Sequence, residues 1–253
     1  MALLTPRPTS PTEGVHVVEN FVGNGTITTN LIGQNMWTLA SLGGAGTITY
    51  LTTVVDNDPP VGGIRSLTRD VADGDGSVIN LLADTAKFPT SVGGGGFAFR
   101  FNYPDIAGNV IAANNFYIGV HSTATAAAPT DGISIQSLGG VLTLRSDSAD
   151  HGDTSQALEG VSTLTSGTTA VKGVPHSVEV HWSGENGQGG PLTVEAFVDD
   201  EPAGQLLSSI DNDEAAELSI VHWQNQGGAQ SYELDVHYFE YWQFMDYPTA
   251  PAV

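Results

Sequence analysis

The clearest pattern in the chain is an alternation of apolar and polar residues, which is strongest over residues 177–244. Val178, Val180 and Trp182 alternate with polar residues, and residues 192–198 repeat the same period. Clusters of Gly, Pro, Asn and Asp separate these segments. A period of two that is interrupted by turn-forming residues is typical of antiparallel β-structure.

The same pattern predicts about a dozen strands along the chain. The strand candidates are residues 14–22, 37–42, 47–55, 64–68, 97–103, 116–121, 133–138, 141–146, 156–163, 177–182, 192–198, 218–223 and 232–244. Residues 78–82 fit either a short helix or a strand, and residues 199–202 read as an acidic loop. Gly139-Gly140 predicts a tight hairpin. We therefore expect an all-β fold, an antiparallel jelly-roll β-sandwich of two sheets.

The two ends of the chain differ from its middle. Residues 1–14 are rich in Pro and Thr, and residues 246–253 have a similar composition, which favours extended chain without a core of its own. The chain has 253 residues and 40% hydrophobic content, enough for one sizeable core. We predict an extended N-terminal arm over 1–14, one jelly-roll domain over 15–245 and a C-terminal tail over 246–253.

The charge balance excludes two classes of partner. Seven Lys and Arg residues face 28 Asp and Glu residues, which gives a formal net charge of −21. Such a surface repels nucleic acid and anionic membranes, so neither is an expected partner. The chain has no cysteine, which removes disulfides and thiolate chemistry. Residues 1–14 contain no apolar segment of the export type and no later stretch approaches a membrane span, so we expect synthesis in a cytoplasm.

Three segments carry a resemblance to a known family. They are residues 97–103 with alternating Phe97, Phe99 and Phe101, residues 176–182 followed by 192–200, and residues 232–244. Together they resemble the concanavalin A-like lectin/glucanase jelly-roll family, which includes laminin-G-like modules. The resemblance implies a closing strand at 232–244 that pairs beside the first strand. It leaves function open, since lectins, glycosidases, adhesins and virion proteins share this fold.

A glycosidase on this fold needs two carboxylates across one groove. The family's enzymes carry Glu-x-Asp-x-Glu or Glu-x-Asp-x-x-Glu on a central strand, and Glu233 and Asp235 come close to that motif. His237 or Tyr238 stands where the second glutamate belongs. We interpret the segment as an ordinary edge strand with outward polar residues, predict no catalytic residues, and expect a protein that is not an enzyme.

Metal and cofactor sites are not expected either. Three acidic turns offer oxygen ligands, but none matches the spacing of a calcium-binding EF-hand loop, and Ca²⁺ in one of them is a secondary expectation. The turns contain residues 70–77, Asp147 with Asp150 and Asp153, and residues 211–214. The seven histidines form no pair with metal-ligand spacing. They are His16, His121, His151, His176, His181, His222 and His237.

Sugar binding would use aromatic side chains as stacking platforms. The candidates are Trp37, Trp182, Trp223, Trp242 and Tyr103. Each lies in an alternating strand, where packing between the two sheets is the more common role. We therefore assign all five to the core, and glycan binding remains an alternative.

These observations favour a non-enzymatic structural protein of a virion. The resemblance extends to decoration proteins of tailed phages, and Pro/Thr-rich arms suit wrapping over neighbouring subunits. We expect a capsid decoration or cement protein on the outer capsid surface, with the major capsid protein and like subunits in a homo-oligomer as partners. The first alternative is a carbohydrate-binding lectin-like module or tail-fibre adhesin, and the second is a glycoside hydrolase.

Overall fold

A computed structural model describes most of the chain between residues 14 and 244, and the statements below refer to that part. The described residues are 14–21, 32–33, 35, 37–42, 45–51, 62–69, 74–81, 88–89, 94–121, 131–150, 152–183, 192–208, 215–225 and 231–244. Their regular structure is β-strand apart from a short 3₁₀ turn at Ile111–Ala113. Among them, no helix is long and apolar enough to cross a membrane.

Sixteen strands follow one another along the described chain. They are β1 (Gly14–Glu19), β2 (Thr38–Leu42), β3 (Ala45–Tyr50), β4 (Ile64–Arg69), β5 (Gly76–Leu81), β6 (Phe88–Pro89), β7 (Gly95–Asn102), β8 (Asn114–His121), β9 (Gly132–Leu138), β10 (Val141–Asp147), β11 (Thr154–Ala157), β12 (His176–Ser183), β13 (Leu192–Val198), β14 (Glu201–Ser208), β15 (Ala215–Gln224) and β16 (Ser231–Phe244).

The strands form two antiparallel sheets. Sheet I has the order β14-β13-β12-β7-β16-β4-β3, and β1 pairs with β16. Sheet II has the order β11-β10-β9-β8-β15-β5-β2, and β6 pairs with β15. The predicted all-β jelly-roll sandwich of two sheets is therefore confirmed. The division into arm, domain and tail stays a prediction, because residues 1–13 and 245–253 lie outside the described residues.

Two local predictions need correction. Residues 78–82 lie mostly in the strand β5, so the helical alternative is wrong. The acidic loop predicted over 199–202 is a turn at Asp199 and Asp200, both with positive φ, and β14 begins directly after it. Pro202 masked this strand in the sequence, yet it is tolerated because β14 lies at the edge of sheet I.

The closing strand β16 is central rather than an edge strand. It pairs with β7 on one side, and with β4 and β1 on the other. The expected pairing of the closing strand with the first one is confirmed by the register Gly14↔Phe244 to Glu19↔Phe239. The interpretation of this segment as an edge strand is wrong, because β16 has a hydrogen-bonded neighbour on each side.

Aromatic side chains fill the space between the sheets. Phe97, Phe99 and Phe101 alternate along β7 and are all excluded from solvent. Phe99 and Phe101 meet Phe116 of sheet II with ring centroids 6.2 and 5.0 Å apart. The alternation seen in the sequence therefore marks the inward row of a central strand.

A buried histidine also joins the two sheets. Nδ1 of His222 on β15 lies 2.7 Å from Oγ of Ser66 on β4, and its Nε2 lies 2.7 Å from Oδ1 of Asn114. The Asn114 amide donates to the Glu233 carbonyl, so its Oδ1 is the acceptor and Nε2 of His222 carries the proton. Burial lowers the pKa of His222 to about 3, so the ring is neutral at ordinary pH.

The predicted hairpin at Gly139-Gly140 connects β9 and β10. Both glycines have positive φ, 59° and 85°, which two-residue hairpins of this kind require. A Cβ atom at Gly140 would lie 2.4 Å from Cγ2 of Ile111. Gly140 is therefore needed for its conformation and for the close approach of the 3₁₀ turn.

Gly140→Ala should destabilise the protein more than Gly152→Ala. Gly152 has nearly the same φ, +84°, but a Cβ added there would have no atom within 4 Å, so this control reports the conformational cost alone. We expect about 1 kcal/mol for the control and about 1–3 kcal/mol more for Gly140→Ala. Denaturant unfolding of both variants measures the difference, and equal losses would contradict the steric role.

His222 should make the fold sensitive to mild acid. Its folded pKa lies below the ordinary value of 6.5, so its contribution to stability is complete above pH 6.5 and is lost as pH falls toward 3. We expect the free energy of unfolding to fall by about 1 kcal/mol per pH unit between roughly pH 6 and 5. His222→Gln should flatten this slope, measured by urea unfolding at each pH, whereas an unchanged slope would assign the effect to other groups.

Candidate functional site

The carboxylates singled out in the sequence lie on the outer face of sheet I and share one cation. Arg65 on β4 binds Asp235 through two contacts, Nε to Oδ1 at 2.6 Å and Nη2 to Oδ2 at 2.8 Å. Its Nη1 lies 3.1 Å from Oε2 of Glu233. One guanidinium therefore binds both carboxylates.

A β-bulge interrupts β16 where the second glutamate of that motif is missing. The register of β16 against β7 shifts between Val236 and Tyr238. Strict alternation therefore ends at the position where enzymes of the concanavalin A-like family carry their next carboxylate. Glu233 and Asp235 lie together on one face of the strand, and both contact Arg65.

The acidic turns also engage cations of the chain where they are described. Arg145 on β10 binds the buried carboxylate of Asp147 and lies 3.7 Å from Oδ2 of Asp153. Residues 70–73 and 211–214 lie outside the described residues. In the described part of the chain, no three His, Asp or Glu side chains come close enough to hold a metal ion.

The aromatic candidates divide into two groups. Trp37, Trp182 and Tyr103 lie in the core between the sheets, as predicted. Trp242 and Trp223 are buried but do not belong to that core. Trp242 covers Gly96 on the outer face of sheet I, and Trp223 lies on the outer face of sheet II. The prediction that all five pack between the sheets is wrong for these two.

The outer face of sheet II carries an unusual set of polar residues. Ile118 and Val120 on β8, Ile133 and Ile135 on β9, and Leu218 and Ile220 on β15 all point into the core. The residues between them therefore point outward. The cross-strand register places these outward residues in rows that run across the sheet.

One such row, which we call the polar row, crosses five adjacent strands. The register aligns Asn80 with Ser219, Ser219 with Gly119, Gly119 with Ser134, and Ser134 with Arg145. At a spacing of about 4.8 Å between strands, the row is about 19 Å long. Gly119 contributes no side chain, so the middle of the row is low.

An aromatic pair borders the polar row. The rings of Tyr117 and Trp223 stack with centroids 5.0 Å apart and planes 22° apart. Val78 and Val221 pack around them in a small apolar cluster separate from the core. Nε2 of Gln136 donates to the Tyr117 hydroxyl at 2.7 Å. Tyr117 is 3% exposed and Trp223 is 6% exposed, so the pair is a buried apolar cluster beside hydrogen-bonding groups of fixed orientation.

Two atoms of the polar row lack a hydrogen-bond partner within the described chain. They are Oγ of Ser134 and Oδ1 of Asn80, in residues that are 0% and 8% exposed. By contrast, Oγ of Ser219 lies 2.8 Å from Nε2 of His121. An unpaired buried polar group costs about 1–3 kcal/mol. Nε1 of Trp37, Nε1 of Trp182 and Oγ of Ser77 also lack a partner within the described chain, so this state is not special to the polar row.

The accessible end of the polar row lies toward β11. Ser134 is buried, the Arg145 side chain is 16% exposed, and Ser155, which pairs with Arg145, is exposed. Burial raises the pKa of Tyr117 while Arg145 opposes the shift, so the phenol is protonated at neutral pH. Burial also raises the pKa of Asp147, again against the effect of Arg145.

Sequence reasoning missed this site. Its members come from five strands that are distant in the chain, and only the register brings them into one row. The one local signal was polar residues at alternate positions in segments of high β-propensity, such as Ser134 and Gln136 in β9. That signal is equally typical of any solvent-facing row.

Comparison with known proteins establishes the fold. No protein-family model and no curated protein matches the sequence. An endo-β-1,4-glucuronan lyase from the fungus Trichoderma reesei is similar with a TM-score of 0.58 and 10% identity, over 89% of this chain and 94% of that chain. An endo-1,3-β-glucanase from Streptomyces sioyaensis is similar with a TM-score of 0.54 and 11% identity, over 95% and 100%.

A third similar structure is the binding domain of botulinum neurotoxin serotype D. Its TM-score is 0.52 at 10% identity, and the likeness covers 91% of this chain but 48% of that chain. These structures are jelly-roll β-sandwiches, consistent with the concanavalin A-like fold expected from residues 97–103, 176–200 and 232–244. At such identities the likeness concerns the fold alone.

Ser134→Ala should leave the protein as stable as before, or more stable by up to about 1 kcal/mol, because it removes a buried hydroxyl that has no partner within the described chain. Ser219→Ala is the matched control. It removes the contact with His121, and we expect it to cost about 1–2 kcal/mol. Thermal unfolding of both variants tests this, and a clear loss for Ser134→Ala would show that its hydroxyl is satisfied within the protein.

Proposed function

We propose that this chain is a non-enzymatic glycan-binding protein that holds its ligand at the accessible end of the polar row, beside β11. The observation that carries the proposal is a row of polar side chains that reaches solvent at this end, where the Arg145 side chain is 16% exposed and Ser155 is exposed. A sugar ring carries hydroxyls that both donate and accept hydrogen bonds, and the polar groups at this end can pair with them.

The similar structures add weight to this choice. Two of them are named as enzymes acting on glycans, a glucuronan lyase and a glucanase. They show that the fold can present a sugar-binding surface, although function is not inherited through fold.

The ion pairs of the chain favour binding over hydrolysis. Hydrolysis needs one protonated carboxylic acid and one free carboxylate on opposite sides of the bond. Glu233 and Asp235 are both held by Arg65, and Asp147 is held by Arg145. None of these carboxylates is placed to exchange a proton with a ligand.

A second candidate is cleavage of a uronic-acid polymer by β-elimination. The observation that favours it is the presence of Tyr117, His121, Gln136 and Arg145 on one face. In this reaction a base removes the C5 proton, the C4–O bond breaks, a C4=C5 double bond forms, and the leaving oxygen takes a proton. The raised pKa of Tyr117 and the occupied guanidinium of Arg145 make these groups less suited to that role.

The capsid-decoration role expected from the sequence stays a prediction. It depends on the arms at 1–14 and 246–253, of which only Gly14 is described. The expected partners, the major capsid protein and like subunits, and the outer capsid location stay predictions with it. Co-sedimentation of the purified protein with capsids tests that role separately from glycan binding.

The purified protein should bind neutral β-linked gluco-oligosaccharides in calorimetric titration, and Ser155→Ala, at the exposed end of the polar row, should weaken binding roughly three- to tenfold through loss of one hydrogen bond. Ser183→Ala, on an exposed position of sheet I, is the control and should bind normally. Binding of no glycan in a panel of neutral and acidic oligosaccharides would refute the proposal. Appearance of an unsaturated product from a uronate polymer would replace it with β-elimination.

A further inference from the structure

The guanidinium of Arg145 stands at the accessible end of the polar row, and its nitrogen atoms are already engaged. Nε lies 3.2 and 3.4 Å from the two carboxylate oxygens of Asp147, and Nη2 contacts Asp147 and lies 3.7 Å from Asp153. Nη1 lies 3.5 Å from Oε1 of Gln136. A ligand carboxylate normally binds an arginine through two parallel N–H groups, and here the protein's own carboxylates occupy them.

The local charge around Arg145 is negative. Asp147 and Asp153 both act on it, and Asp131 is close enough to Asp147 to oppose its ionisation. One positive side chain therefore stands against three carboxylates at this end of the row. The formal net charge of −21 adds repulsion of the same sign at longer range.

The Asp147 carboxylate is the anchor of this arrangement. Its side chain is 0% exposed, whereas that of Asp153 is 55% exposed. Asp147 lies two residues from Arg145 on the same strand, so both side chains point to the outer face of sheet II. The pair is fixed by the strand itself, and no loop has to move to form it.

We propose that Asp147 is a specificity-determining residue: by holding Arg145 in an ion pair at the entrance of the polar row, it makes the site select uncharged sugars and reject uronic acids. The proposal rests on glycan binding by this face. Asp147 acts through Arg145 and the local charge, so it is a positioning residue that need not touch the ligand. The chemical class of the ligand is then a neutral glycan.

The test compares two ligands that differ only in charge. A gluco-oligosaccharide and the glucurono-oligosaccharide of the same β-1,4 linkage and length are titrated into the protein at one fixed ionic strength, since screening changes such effects. The unmodified protein should bind the neutral ligand more tightly. Asp147→Asn should tighten binding of the uronate roughly fivefold, the factor of one unit-charge interaction at about 4 Å in water, with little change for the neutral ligand.

Asp105→Asn is the matched control for charge. Asp105 pairs with Lys172 on an exposed part of the surface, 3.1 Å from Nζ, and its replacement removes the same single charge from the molecule. We expect no change in the ratio of the two affinities. An equal gain in uronate binding for both variants would show a general charge effect and would overturn the role of Asp147.

The Asp147→Asn variant should fold. Burial raises the pKa of Asp147 even beside Arg145, so the folded protein already disfavours its charge, and asparagine keeps the shape and one acceptor oxygen. Thermal unfolding checks this directly. Asp153→Asn, at an exposed position, is the second variant and should shift the ratio in the same direction by a smaller factor.

The outcomes separate the two proposals. If neither oligosaccharide binds the unmodified protein, glycan binding itself is refuted, and the selectivity falls with it. If the uronate binds as tightly as the neutral ligand or more tightly, glycan binding stands and the selectivity is overturned. Neutral binding with no gain of uronate affinity in either Asp147→Asn or Asp153→Asn also overturns the role of Asp147.

Discussion

The whole sandwich depends on the pairing of β16 inside sheet I. This strand has fourteen residues and hydrogen-bonds to β7, β4 and β1. Its pairing with β1 joins the last strand of the described chain to the first. Its inward residues, Leu234, Val236, Phe239 and Tyr241, are buried in the core. A bulge between Val236 and Tyr238 shifts the alternation by one residue, so that Phe239 and Tyr241 continue the inward row that begins with Leu234 and Val236.

Buried polar groups are satisfied at some places in the fold and left without a partner at others. In the interior, His222, Ser66 and Asn114 satisfy one another across the two sheets. On the outer face of sheet II, Ser134 and Asn80 each keep a buried oxygen without a partner in the described chain. Nε1 of Trp37 in the core shares this state, so the fold carries the cost of an unpaired polar group on both sides of the sheet.

The sequence was sufficient for the fold because each central strand alternates cleanly. Phe97, Phe99 and Phe101 mark an inward row without any knowledge of their partners, and Gly139-Gly140 marks a hairpin by its backbone requirement alone. Pro202 had the opposite effect, since a residue typical of loops hid an edge strand. The site could not be predicted in the same way, because Ser134, Ser219 and Asn80 are ordinary outward residues until the register aligns them.

The few cations of this acidic chain are engaged by its own carboxylates. Seven Lys and Arg residues must serve 28 carboxylates. Arg65 lies between Glu233 and Asp235, Arg145 contacts Asp147 and Asp153, and Lys172 pairs with Asp105. Arg65 and Arg145 each relieve repulsion between two acidic groups of the protein. A ligand with its own carboxylate would have to compete for the same cation and leave a protein carboxylate unpaired. An uncharged sugar avoids this cost.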